Sequence, residues 1–447
     1  MTTLHARRAL LPDGWRDNVR LTHDAGRIIS VAPDTPAEPG DDCHDTLVPG
    51  MANLHSHAFQ RAMAGLAETR GPTSDSFWSW REAMYRTALS MTPDQVEAVA
   101  AQLYVEMLEA GFTRVGEFHY LHHDRDGRPY DTLAEMAARI AGASARAGIG
   151  LTLLPVFYAR SGFGGAATTD GQRRFANDVD RFARLHADCR DLLADLPGAT
   201  LGLAPHSLRA ATPEDLARVL PLTDGPIHIH VAEQLREVED CIAWSGARPV
   251  DWLLDAMPVD DRWCLIHATH MTETETRLMA ARGATAGLCP ITEANLGDGI
   301  FNGPEFLEAG GHFGVGSDSN IRISLPEELR QFEYSQRLAH RARNVIAEPC
   351  GSTGWRLFAG AVTGGARALG VPGGLTEGAW ADMVTLDTRA AAHVATDQLL
   401  DHWIFAQGIF VDCVWSRGVR QVSEGRHHDR EAIAGRFHAA LAELADG

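Results

Sequence analysis

The chain has 447 residues, 45% of them hydrophobic and 22% charged, and carries a net charge of −19 from 59 acidic and 40 basic residues. That length predicts two or three average domains, or one large α/β barrel with an attachment. The composition excludes a disordered chain, a fibrous protein and a small disulfide-stapled scaffold, and the acidic excess argues against binding along a nucleic-acid backbone.

All 40 basic residues are arginine. No lysine is therefore available for a phosphate loop, a pyridoxal Schiff base or a carbamylated bridge between two metals. The seven cysteines are scattered, with no CxxC pair, which fits reduced thiols in a reducing compartment. The first residues, Met-Thr-Thr-Leu-His-Ala-Arg-Arg, lack the apolar stretch of a signal peptide. No run of 18 apolar residues predicts a membrane span. A cytoplasmic protein with no membrane partner is expected.

Residues 1–49 read as short strands punctuated by Asp13-Gly14 and Asp24-Ala25-Gly26. Eight strands are then predicted at 47–54, 113–118, 150–157, 200–204, 226–231, 263–266, 284–288 and 312–316. Helical patterns separate most of them. Thr92-Pro93-Asp94-Gln95 offers an N-cap, a proline at the first helical position and a capping-box partner, and Thr212-Pro213-Glu214-Asp215 repeats the signal. This alternation predicts a (β/α)₈ TIM-like barrel over residues 50–375. An open doubly wound sheet would show a glycine-rich turn after its first strand, where this chain has His-Ser-His. From residue 376 the texture returns to turns and strands, with a closing helix near 429–444. Residues 1–49 and 376–447 are expected to pair into one small β-sandwich domain.

His55-Ser56-His57 falls at the end of the first barrel strand. Residues i and i+2 of a strand share a face, so both imidazoles can reach one ion. The fifth strand gives His228-Ile229-His230 with Glu233 beyond, the sixth ends at His267, and the eighth ends in Gly316-Ser317-Asp318. A barrel gathers these strand ends around one mouth. Two histidines, a third histidine and an aspartate make an N/O set suited to zinc. His230 lies nearer the strand end than His228, which reads as a packed, hydrogen-bonded histidine. His270, the rival to His267, falls in the loop. His122 and His123, beside Asp124, read as a solvated loop.

This set of strand-end ligands resembles the amidohydrolase superfamily, and the missing lysine places the resemblance in its mononuclear deaminase branch. Longer blocks resemble the formimidoylglutamate deiminase family: His55-Ser56-His57-Ala58-Phe59-Gln60-Arg61, Ala204-Pro205-His206-Ser207-Leu208-Arg209, His228 to Gln234, Leu265 to His270, Pro290 to Asn295 and Gly316 to Asn320. The resemblance implies hydrolytic deimination of N-formimino-L-glutamate, with release of ammonia. It implies one divalent metal ion, with zinc favoured and iron the other candidate, held by His55, His57, His230 and Asp318. Glu233 would shuttle a proton, His267 would hydrogen-bond the reaction centre, and Asp318 would also accept a proton from the attacking water. Glu233 has a second reading as a helix-capping carboxylate.

A substrate with two carboxylates calls for arginines at the mouth. The resemblance carries substrate binding onto Gln60, Arg81, Tyr120, His206 and Arg209. Trp78, Trp80 and Arg81 also fit a packed lid helix, and Arg61 and Arg70 could line the entrance. A homodimer is consistent with the resemblance. Three other readings stand beside this one: a deaminase of a purine, pyrimidine or triazine, a non-catalytic barrel scaffold, and a hydrolase of an amide or ester.

Overall fold

The structure, a computed structural model, describes residues 1–72 and 75–446. The N-terminal segment forms strands β1 (Thr2–Leu11), β2 (Gly14–Asp24), β3 (Arg27–Ala32) and β4 (Asp42–Pro49). Nine further strands follow: β5 (Met51–Ser56), β6 (Phe112–His119), β7 (Gly150–Phe157), β8 (Thr200–Leu201), β9 (Ala204–Pro205), β10 (Ile227–Val231), β11 (Trp263–His267), β12 (Thr285–Leu288) and β13 (His312–Val315). The chain ends with β14 (Met383–Asp387), β15 (Phe410–Ser416), β16 (Val419–Ser423), β17 (Arg426–His427) and a helix at Arg430–Asp446.

Strands β5 to β13 form the barrel. β5 to β8 pair in parallel, β9 runs beside β7, and β10 to β13 make a second parallel run. Parallel bridges Leu203–Ile227 and Ser207–His230 join the two runs on one side, and Ser56–Asp318 joins them on the other. The ring is thereby closed, and the closing bridge lies beside the predicted ligands. An apolar layer that includes Leu54, Cys264, Ile266, Cys289 and Leu369 fills the interior below them.

Two predicted strands differ from the structure. The one read at 47–54 is split at Pro49-Gly50, with β4 serving the terminal sheet and β5 the barrel. The amide of Gly50 donates to Asp382 O and that of Met51 to Gly111 O, so the backbone changes partner at this point. The fourth barrel strand is broken into β8 and β9. Elsewhere local signals match closely: Thr92 caps the helix Pro93–Glu109 through a reciprocal box with Gln95.

The terminal strands share one eight-stranded sheet in the order β17-β16-β15-β14-β4-β1-β2-β3. Antiparallel pairing of β4 with β14 joins the two ends of the chain. The sheet curls so that the amide of Ile28 donates to Ala379 O and that of Ala381 to Gly26 O, both at 2.9 Å. Leu4, Val19, Leu21, Leu47, Met383 and Trp415 pack inside this curl. No helix among the described residues is long and apolar enough to cross a membrane.

Candidate active site

His55 lies within β5 and His57 just beyond it, so the i, i+2 spacing brings both rings to the barrel mouth. Their Nε2 atoms are 3.2 Å apart, and His230 Nε2 is 3.0 Å from His55 Nε2. Asp318 Oδ1 is 3.1 Å from His57 Nε2 and 3.5 Å from His55 Nε2. All four side chains are buried, and their ligand atoms lie within 4.8 Å of one another.

The tautomers follow from the outer hydrogen bonds. His57 Nδ1 faces Phe118 O at 3.0 Å and His230 Nδ1 faces His206 O at 3.0 Å. A carbonyl can only accept, so both Nδ1 atoms carry the proton and both Nε2 lone pairs point inward. Burial drives His55 down to about 3 and His230 well below its usual value, which keeps both rings neutral. Burial alone would raise Asp318, but His55 and His57 hold its carboxyl well below the usual range. Converging lone pairs beside an ionised carboxylate repel one another unless a cation sits among them. This set of three imidazole nitrogens and one carboxylate oxygen fits a divalent ion such as zinc.

Strained backbone helps to aim these groups. Ala232, His267, Ala268 and Asp318 all have positive φ, between 45° and 66°, a costly conformation for residues with a Cβ. Around Asp318 a buried network offsets the strain. Asn53 donates to Ser317 Oγ at 2.6 Å, and Asn320 donates to His57 O at 2.9 Å.

Glu233 and His267 stand beside the ligand cluster. His267 Nε2 is 3.8 Å from both Glu233 Oε1 and Asp318 Oδ2. Burial raises Glu233 to about 7. For His267 burial works downward, but Glu233, Glu293 and Asp318 raise it to about 10. The capping role open to Glu233 belongs instead to Glu237, whose carboxylate accepts from the amides of Ala232 and Glu233, both at 3.3 Å.

Above the cluster is a cleft lined among others by Gln60, Arg81, Tyr120, Tyr158, His206 and Arg209. Gln60 donates to Tyr120 Oη at 2.9 Å. Arg81 stands over the rings of Trp78 and Tyr85, at 5.3 and 5.1 Å, so it both packs the helix Phe77–Ser90 and lines the cleft. Arg209 Nε is buried without a hydrogen-bond partner. Among the described residues, neither Arg81 nor Arg209 has a carboxylate within ion-pair distance, though against burial, which works downward, the Glu237 and Glu233 charges raise Arg209. By contrast, Arg61 is engaged by Glu106 at 2.8 Å and by Asn320 O at 3.0 Å.

The structure corrects one expectation. His122 and His123 are buried rather than solvated, because Arg174 O accepts both their amides and Val156 O and Ala176 O bind their rings. His228 is packed as expected, bound to Ala368 O at 2.7 Å, and His270 lies outside the ligand cluster.

Three carboxylates that support the site were not singled out from the sequence. Glu117 accepts from the amide of Ala58 at 2.6 Å and from Tyr104 Oη at 3.1 Å, and burial raises it to about 7. A charged residue in the otherwise apolar end of β6 was the available signal. Glu293 lies 3.3 Å from His267 Nδ1 and accepts the amide of Cys289 at 2.8 Å. Glu237 falls one helical turn after Glu233, a spacing visible in the sequence.

A closed (β/α)₈ barrel with a histidine–aspartate cluster at its mouth defines a hydrolase built to use a metal. Residues 46–420 match the amidohydrolase family, and residues 1–45 match the formimidoylglutamate deiminase HutF N-terminal domain. The chain belongs to the amidohydrolase family. It is 50% identical to a formimidoylglutamate deiminase of Pseudomonas aeruginosa, over 100% of both chains. A 5-methylthioadenosine/S-adenosylhomocysteine deaminase of Natronomonas pharaonis is 28% identical, over 87% of this chain and 84% of that one. The crystal structure of an amidohydrolase from Brucella melitensis is 62% identical over 100% of both chains, with a TM-score of 0.98.

Proposed function

We propose that this enzyme hydrolyses N-formimino-L-glutamate to N-formyl-L-glutamate and ammonia, using one divalent metal ion, preferentially zinc. His55, His57, His230 and Asp318 would hold the ion. When bound, such an ion supplies Lewis-acid activation of water near neutral pH. The observation that carries the substrate class is the pair Arg81 and Arg209, two cleft guanidiniums with no carboxylate at ion-pair distance among the described residues, although the Glu237 and Glu233 charges reach Arg209. Full-length similarity to a formimidoylglutamate deiminase supports the same reading.

The remaining roles belong to side chains in reach of the cleft. Arg81 and Arg209 bind the two substrate carboxylates, and Gln60, Tyr120 and His206 fix the chain between them. Glu233 Oε1 takes a proton from the attacking water and passes it to the leaving nitrogen, a task suited to a carboxyl near neutrality. Asp318 shares in accepting the water proton. His267 donates from Nε2 toward the charge that develops on the former amidine carbon's substituents. Glu293 on its Nδ1 keeps that ring turned to the centre.

The reading is tested by comparing ammonia release from N-formimino-L-glutamate with release from adenine, guanine and cytosine derivatives. Turnover confined to the formimino amino acid supports it. A preference for a flat aromatic amine would replace it with a nucleobase deaminase.

A further inference from the structure

Beside the four-residue cluster lies a second, softer donor set. His267, Cys289 and Asp318 each present a ligand atom, these atoms lie within 4.8 Å of one another, and all three side chains are buried. Asp318 belongs to both sets. Its Oδ1 is 3.1 Å from His57 Nε2, while its Oδ2 faces His267 Nε2 at 3.8 Å. Glu233 Oε1 is also 3.8 Å from that nitrogen. Separations of 3.8 Å are too long for hydrogen bonds, but they suit donors that share one ion through bonds of about 2.0–2.3 Å. Cys289 follows β12 and packs with the apolar layer of the barrel. Its thiol lies near both partners, in the buried layer beneath the cleft and outside its lining.

We propose that the enzyme binds a second, inhibitory thiophilic divalent cation at His267, Cys289 and Asp318, with the Glu233 carboxylate alongside. The proposal rests on the placement of the first ion at His55, His57, His230 and Asp318, and goes beyond it. A nitrogen, sulfur and oxygen set selects zinc or cadmium over magnesium or calcium. Binding forms sulfur–metal and nitrogen–metal bonds and releases the Cys289 thiol proton and the His267 Nε2 proton to solvent. The bound ion takes His267, Glu233 and Asp318 out of their proposed roles, so turnover falls.

The test uses holoenzyme carrying one equivalent of zinc, titrated with cadmium while bound metal, ultraviolet absorption and ammonia release are followed. A second equivalent should bind, bring thiolate-to-metal charge-transfer absorption and slow turnover at least about 10-fold, and magnesium in equal excess should do neither. Cys43 and Cys350 are exposed thiols that can also take cadmium, so the diagnostic absorption is the part lost in Cys289→Ser. That variant should keep the first ion and its turnover, and need at least about 10-fold more cadmium for half-inhibition. Cys289→Ala gives the same readout if the serine variant does not fold. Unchanged absorption and unchanged inhibition in a folded Cys289 variant would overturn the proposal. Charge transfer that depends on Cys289, in an enzyme inert toward the formimino substrate, would keep this site and remove the substrate reading instead.

Discussion

At His267 one imidazole is held between carboxylates, Glu293 on Nδ1 and Glu233 with Asp318 on Nε2. On the proposed mechanism, loss of Glu233 separates chemistry from metal binding. Glu233→Gln should retain one metal per chain and lower kcat by about 10²- to 10⁴-fold, the usual worth of a positioned proton carrier. Metal analysis beside steady-state kinetics checks both halves. Arg209→Ala should raise KM about 10- to 100-fold, because a charge-assisted contact is lost, and leave metal content unchanged. A fall in kcat alone would contradict its assignment to a carboxylate. Asp298 offers a pH test. Burial, with the Glu233 charge next, raises its carboxyl to about 9, and its Oδ2 has no hydrogen-bond partner. The folded chain then binds this proton more tightly than the unfolded chain does. Stability from this group is complete below about pH 4 and is lost as the pH rises toward 9. Asp298→Asn should flatten the fall of Tm between pH 5 and 8.5, and parallel slopes would refute the assignment. The strand-end histidines were legible because a two-residue period and a barrel mouth suffice to gather them. Glu117 and Glu293 were not, because each works through a backbone amide or a ring supplied by another strand.

Among the elements, the helix Thr353–Ala368 shows how closely the barrel is packed. A Cβ added at Gly364 would lie 1.8 Å from Phe313 O in β13. Gly364→Ala should therefore cost about 1–3 kcal/mol through forced displacement of the helix, read as a lowered Tm without a change in metal stoichiometry. Helix starts were readable from sequence where the signal is local, as at Thr92 and Thr212, whose side chains accept from the amides three residues on. The strand at 47–54 was misread because its apolar run continues across Pro49-Gly50. Only pairing with distant segments shows that the two halves serve different sheets. The burial of His122 and His123 was hidden for a similar reason, since their partners lie near residues 156, 174 and 176.

On the scale of the whole molecule, the chain closes on itself twice, through the Ser56–Asp318 bridge and through β4 against β14. We propose that residues 1–49 with 376–447 form one unit and residues 50–375 the other; Gly447 falls outside the described residues. Because Asp318 and His57 sit at the barrel's closing seam, an ion shared between them links the first and last barrel strands. Removing metal with a chelator should lower Tm, and readdition at about 100 times Kd should restore about 2.7 kcal/mol. An unchanged Tm would place the ion elsewhere.

The most direct measurement loads metal-free enzyme stepwise with zinc, supplies N-formimino-L-glutamate, and follows ammonia and the organic product by mass in the same samples. Ammonia and N-formyl-L-glutamate should rise together to a maximum at one zinc per chain. One bound zinc per folded chain without either product would contradict the deiminase assignment.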